Sequence, residues 1–330
     1  MKNVGIVGMH ESDAGSVFTA LTSIDASAGG KANQAVVAVP DARVDTLVEL
    51  HHSKKPTYAQ LRFVDTSALV RAGSRSGAGK LSSELLGHLR NSDALLAVVR
   101  GSYAANDLEE LALEFLYADL DVISKKVDRD RKGARDSEAK RVLAVMERAQ
   151  ALLEGGAPLS KEAWGREELA DFGSISPLTL KPRLVVATID DGTTPLPDDI
   201  VGVAPTLELE VAELDAADAA ELLEGFGITE RALPRVIRGV YDALSLLTFL
   251  TAGEIESRAW EIPAGATAPE AAGVIHSDIQ RGFIRAEIVA YEALVGAGSW
   301  TSARAQGLVR QEGKTYVMAE GDVVEFRFAV

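Results

Sequence analysis

The chain has 330 residues, 47% of them hydrophobic, and a net charge of −15. This suits two or three soluble globular domains and excludes a broad electrostatic grip on nucleic acid, sequence-specific DNA binding included. It holds no cysteine, which excludes disulfides, a thiolate nucleophile and a Cys-type zinc site, and no apolar run reaches the ~20 residues of a membrane span. The first residues, Met1 to Gly8, read as a strand entering a turn and not as a signal peptide, so a cytoplasmic protein is expected. Short Val-rich runs at 4–7, 35–39, 61–64, 94–99, 184–189 and 201–204 show little polar alternation, as strands buried on both faces do. Helical segments between several of them predict a doubly wound α/β sheet.

The interval 101–181 is too long for one crossover. In it Leu113, Leu116, Leu120, Ile123 and Val127 recur at spacings of three and four, and Val142, Met146, Ala149 and Leu153 repeat the pattern. An antiparallel helical hairpin with a turn at Gly133 is expected. Segment 124–141 carries eight Lys and Arg and four Asp and Glu, a +4 tip on an acidic protein. It reads either as a solvated helix face or as a basic tip (Lys125, Lys126, Arg129, Arg131, Lys132) that docks on an RNA-rich partner. Residues 216–225 read as an acidic amphipathic helix and 231–247 as a second helix. Beyond residue 248, strands are expected at 258–262, 282–291 and 323–330, with a helix over 269–279: a small α+β module.

Residues 5–22 have the outline of a phosphate-binding loop, an apolar strand ending in Gly8, a polar loop, then an amphipathic helix. The pattern G-x-x-x-x-G-K-[ST] supplies a Lys for the phosphates and a hydroxyl for Mg²⁺. Read from Gly8, the second Gly falls on Asp13, the Lys on Ala14 and the Ser/Thr on Gly15, with Glu11 adding a further negative charge.

The segments Arg258-Ala259-Trp260, Gly265-Ala266-Thr267-Ala268-Pro269, Val274-Ile275-His276-Ser277-Asp278, Gly282-Phe283-Ile284-Arg285-Ala286-Glu287 and Phe326-Arg327-Phe328 resemble the TGS-type, ubiquitin-like domain that ends members of the Obg-like ATPase (YchF) family. Pro40-Asp41-Ala42-Arg43, Phe63-Val64-Asp65, Ala118-Asp119-Leu120-Asp121, Leu178-Thr179-Leu180-Lys181-Pro182 and Arg235-Val236-Ile237-Arg238 stand in the family's order. The resemblance covers nearly the whole chain. It implies a P-loop NTPase-type G-domain split over 1–102 and 174–247, an inserted coiled-coil hairpin at 103–173, and a TGS-like domain at 248–330. It further implies a cytoplasmic protein tied to translation, with a ribosome or translation factor as partner; a monomer is expected.

Carried over position by position, the family's chemistry fits poorly. Ala14 stands at the Lys position and Gly15 at the Mg²⁺-binding Ser, although Ser16 follows. The D-x-x-G motif reads Asp65-Thr66-Ser67-Ala68; Asp65 could hold Mg²⁺ through water or simply cap a turn. Between Thr22 and Val36 the chain is shorter than the family pattern, across switch I. The base-reading N-x-x-E reads Ala187-Thr188-Ile189-Asp190. The resemblance therefore implies a vestigial nucleotide site at Gly8, Asp13, Ala14, Gly15, Ser16, Asp65 and Asp190, no catalytic residue and no cofactor. ATP or GTP with Mg²⁺ on Ser16 and Asp65 is the alternative, with Lys80 of the loop 74–81 as a replacement cation. His51-His52 lacks companions at metal spacing, and His276 with Asp278 reads as a helix cap.

Overall fold

A computed structural model describes residues 1–9, 13–24, 33–67, 69, 81–133 and 135–329. They form two compact units, one of residues 2–36 and 62–236, the other of residue 1, 37–61 and 237–330. Strands and helices are numbered in chain order.

The first unit is built on a sheet of β1 (Lys2–Gly8), β2 (Asn33–Ala38), β4 (Gln60–Asp65), β5 (Ala94–Arg100), β6 (Arg183–Thr188) and β7 (Ile200–Val203), ordered β2-β4-β1-β5-β6-β7. β5 pairs in parallel with β1 (Val4 opposite Ala94) and with β6 (Leu95 opposite Arg183), and β6 in parallel with β7. All of β5 except Arg100 is buried, as the unbroken apolar run requires of a strand covered on both faces. One cover is α3 (Ser83–Arg90), begun by Ser82, whose hydroxyl accepts from Leu85 N–H at 3.2 Å. Its Leu85 and Leu89 pack on Val7, Leu95 and Ala97.

α4 (Ala104–Gly133) and α5 (Ser137–Glu154) are the helical hairpin. Leu116, Ile123 and Val127 meet Val145, Met146, Ala149 and Leu153. Two seam positions differ from the expected spacing. Leu113 is 47% exposed, because the start of α4 turns Leu111 and Phe115 to the sheet instead. Val145 takes the buried place expected of Val142. The hairpin is fastened at its base by Asp119, which is fully buried. Its carboxylate accepts from Arg90 Nη1 (2.8 Å), the N–H groups of Leu178 (3.0 Å) and Thr179 (2.8 Å), and Thr179 Oγ1 (2.8 Å).

In the second unit β3 (Pro56–Thr57), β8 (Leu246–Ala252), β9 (Ser257–Pro263), β10 (Phe283–Ala290), β11 (Arg310–Glu312) and β12 (Asp322–Phe328) form a sheet ordered β11-β10-β12-β8-β9-β3. Successive residues point to opposite faces. Phe249, Ile288 and Val324 face α10 (Ala268–Ile275) through Ala271 and Ala272. Their neighbours Leu250, Val289 and Val323 face α2 (Ala42–His51) through Val44 and Leu47. Burying side chains of this size contributes about 1.5–3 kcal/mol each, so a sheet apolar on both faces demands both helices. This is why α2 and β3, between the β2 and β4 strands of the first sheet, lie in this unit. Two further points depart from the expected elements. β8 continues where a helix was expected to run to Leu247, since α9 (Ala232–Ala243) stops short of it. The single helix over 269–279 is broken at His276, whose Nδ1 accepts from Asp278 N–H and starts α11 (Ser277–Arg281).

Glu287 on β10 is buried and receives Arg327 (3.1 Å), Arg304 and Arg285. The Arg327 guanidinium holds its carboxyl below the usual glutamate range. A carboxyl whose folded pKa is depressed adds stability above its unfolded pKa of about 4.3 and loses it as pH falls through the folded value. Acid unfolding followed by circular dichroism is therefore expected to begin below about pH 5, with a shallower pH dependence in Glu287→Gln. An unchanged profile in that variant rejects the assignment.

Candidate functional site

In open α/β sheets ligands gather at the carboxyl ends of the strands. Here those ends carry Gly8 of β1, Asp65 of β4, Arg100 of β5 and Thr188 of β6. Gly8 is required by close approach, since a Cβ on it would lie 2.9 Å from the Val98 carbonyl oxygen. α1 (Asp13–Thr22) begins after it. Ala14 is 2% exposed and Gly15 is buried, while Ser16 is exposed. The Gly15 carbonyl accepts from Thr19 Oγ1 at 3.0 Å. Glu11, the side chain of Asp13, segment 25–32, Ala68 and the loop with Lys80 lie outside the described residues.

Asp65 is fully buried. Its Oδ1 accepts from Ser67 N–H (2.8 Å) and its Oδ2 from Ser67 Oγ (2.9 Å), a closed turn of the kind Asp builds with a residue two positions on. Thr66 Oγ1 donates to the Ile6 carbonyl at 2.7 Å and ties this turn to β1. Arg100, a cation at the strand ends, is engaged by Asp107 of α4 through its N–H, Nε and Nη2 (2.9, 3.0 and 2.7 Å) and lies over the Tyr103 ring. The sequence reading missed Ser67 and Asp107; a Ser two residues after an Asp was the legible signal.

Near the end of β6, Ala187 is fully buried with Val99 and Ile200, and beyond the strand Asp190 is exposed. Asp191 forms the turn, accepting from Thr193 N–H (2.8 Å) and Oγ1 (2.6 Å), and the Thr193 hydroxyl holds its carboxyl below the usual range. Gly192 donates to the Phe226 carbonyl at 2.8 Å, and a Cβ there would collide with Gly227. β6, which Asp190 follows, is two strand spacings, about 10 Å, from β1.

The five tip cations are mostly partnered on their own hairpin. Lys125 pairs with Asp121, Lys126 and Arg129 with Asp130, and Arg131 with Glu147 and Asp128. Lys132 has no ion pair among the described residues. His51 lies in α2 with Nε2 buried and unpartnered, and burial pushes its pKa down. His52 closes α2 in the left-handed region at φ 52°. No group of three metal-binding side chains occurs among the described residues, and no described helix is long and apolar enough to cross a membrane.

The ribosome-binding ATPase YchF of Haemophilus influenzae is 37% identical to this chain over 360 residues, covering 99% of each. The chain belongs to the YchF family. The Bacillus subtilis relative of the same name is 34% identical over 363 residues, again at 99% of each. The structure of the Schizosaccharomyces pombe YchF GTPase superposes with a TM-score of 0.80 at 27% identity, over 99% of this chain and 97% of that one. The family YchF-GTPase_C, described as a protein of unknown function (DUF933), matches residues 246–329. The fold is thus the α/β G-domain of P-loop NTPases joined to a YchF C-terminal domain. The alignment to the H. influenzae YchF spans 360 positions against 330 residues, so at least 30 positions have no counterpart here.

Proposed function

We propose that this YchF-family chain is a translation-associated binding protein that contacts a ribosome or translation factor in the cytoplasm without hydrolysing nucleotide. The reading is carried by Ala14, a methyl group 2% exposed where the family resemblance places the phosphate-binding lysine. A charge-assisted hydrogen bond contributes about 1.5–3 kcal/mol, and Ala14 can make none. Two further observations support it. Asp65 turns each of its oxygens to Ser67, as an Asp that closes a turn does. Ala187, at the position of the base-reading Asn, is sealed among aliphatic side chains. The described residues therefore do not fit a Mg²⁺-nucleotide.

The partner follows from the relatives' names, which describe ribosome-binding proteins. In this chain the contact is assigned to Lys125, Lys126, Arg129, Arg131 and Lys132, and to the C-terminal domain. The ion pairs of the tip are mostly exposed, and pairs of that kind contribute about 0–1 kcal/mol, so phosphate oxygens can displace them at little cost. Co-sedimentation with purified ribosomes over a salt series tests this. Binding should weaken steeply as salt rises and fall further in Arg129→Glu/Lys132→Glu. Sedimentation indifferent to both salt and the double variant rejects the assignment.

A residual ATPase or GTPase is the second reading, favoured by the preserved β1–Gly8–α1 layout and by the ATPase in the relatives' names. Ser16 and Asp65 would then hold Mg²⁺ and Lys80 would supply the cation. Turnover that survives both Asp65→Ala and Lys80→Ala belongs to a contaminant.

A further inference from the structure

A second concavity involves none of these residues. α7 (Pro205–Ala212), α8 (Ala216–Gly225) and residues 226–231 surround a groove of about 730 Å³. Its floor is Val211, Leu223 and Ile228, and Leu214 stands at its mouth, 41% exposed. α8 presents Ala216, Ala219, Ala220 and Leu223 to the groove, the i, i+3, i+4, i+7 spacing of one helix face. A face of alanines is shallow, so a second helix can approach to the 8–10 Å interaxial distance of packed helices.

Charge selects the occupant. Residues 205–231 contain eight carboxylates and one cation, Arg231. Arg231 is engaged by the buried Glu208 at 3.2 Å. Glu210, Glu213, Asp218, Glu221 and Glu224 have no ion pair among the described residues. Glu224 and Glu230 line the groove itself, and exposed carboxylates flank it on α7, α8 and their connection. Like charge disfavours RNA here, and an uncharged apolar segment would leave these carboxylates unanswered. We infer that the groove receives the apolar face of a short, basic amphipathic helix from a protein partner, the helix-in-groove mode. The inference is independent of the state of the nucleotide site.

The full chain can be titrated, by fluorescence anisotropy, into a labelled peptide of about 18 residues, five helical turns, with Leu at i, i+3, i+4 and i+7 and Lys elsewhere. Saturable binding is expected, weakening as salt rises. Ala220→Arg and Leu214→Lys, both at exposed positions, should each weaken it roughly tenfold or more, as loss of a central contact does. Equal binding of a scrambled peptide of the same composition, preference for a Glu-for-Lys version, indifference to both variants, or no binding at all overturns the inference. So does sedimentation velocity showing a dimer that Ala220→Arg dissolves, which would give the groove to a second copy of the chain.

Discussion

Calorimetric titration of the purified chain with ATP or GTP and Mg²⁺ will show no micromolar binding, and Asp13→Gly/Ala14→Lys will raise the affinity for either nucleotide about 10- to 100-fold. Charge decides the outcome. The backbone N–H groups at the start of α1 still favour an anion, but the helix entrance offers a buried methyl group where a cation should reach the phosphates. Restoring Lys returns one charge-assisted bond, and removing Asp13 deletes a carboxylate from the same turn. Circular dichroism must first show that the double variant is folded, because Ala14 sits in the core. Micromolar binding by the unaltered chain sinks the proposed function.

Asp119→Ala is expected to be the most damaging single change in the first unit. It removes the acceptor of four donors, leaving two peptide N–H groups facing a cavity and Arg90 with only the carbonyls of Ala118, Ile175 and Ser176. Removing one partner of a buried ion pair costs about 3–5 kcal/mol. A unit of this size loses roughly 2–4 °C per kcal/mol, so the melting temperature should fall on the order of 10 °C. Asp119→Asn keeps the shape and part of the hydrogen bonding and should cost less. A melting curve for Asp119→Ala that coincides with that of the unaltered protein would show that the hairpin is held some other way.

The strands of the first sheet were legible because β1, β5 and β6 are nearly unbroken aliphatic runs, the pattern of strands covered on both faces. β8 was not. Leu246-Leu247-Thr248-Phe249-Leu250 directly follows a helix, and a short apolar run there fits a further helical turn as well as a strand. Leu113 satisfied the heptad spacing, yet the sheet, not the hairpin, decides which side of α4 is inward at that height. At the candidate site, the missing lysine could be read at once from Ala14. The closed turn of Asp65 onto Ser67 left two readings open in the sequence, because the same Asp suits a metal or a cap. The alanine face of α8 gave no signal, since alanine is an ordinary helix former wherever it points.

The placement of residues 37–61 governs the order in which the chain can be completed during synthesis. α2 leaves the ribosome nearly two hundred residues before β8, and β12 comes last of all. Val44 and Leu47 therefore wait for Leu250, Val289 and Val323 to be translated, and the second unit closes only after β12 has been made. A fragment cut to residues 246–329 inherits the opposite problem: its strands are born whole, with one greasy face and no α2 to lay upon it.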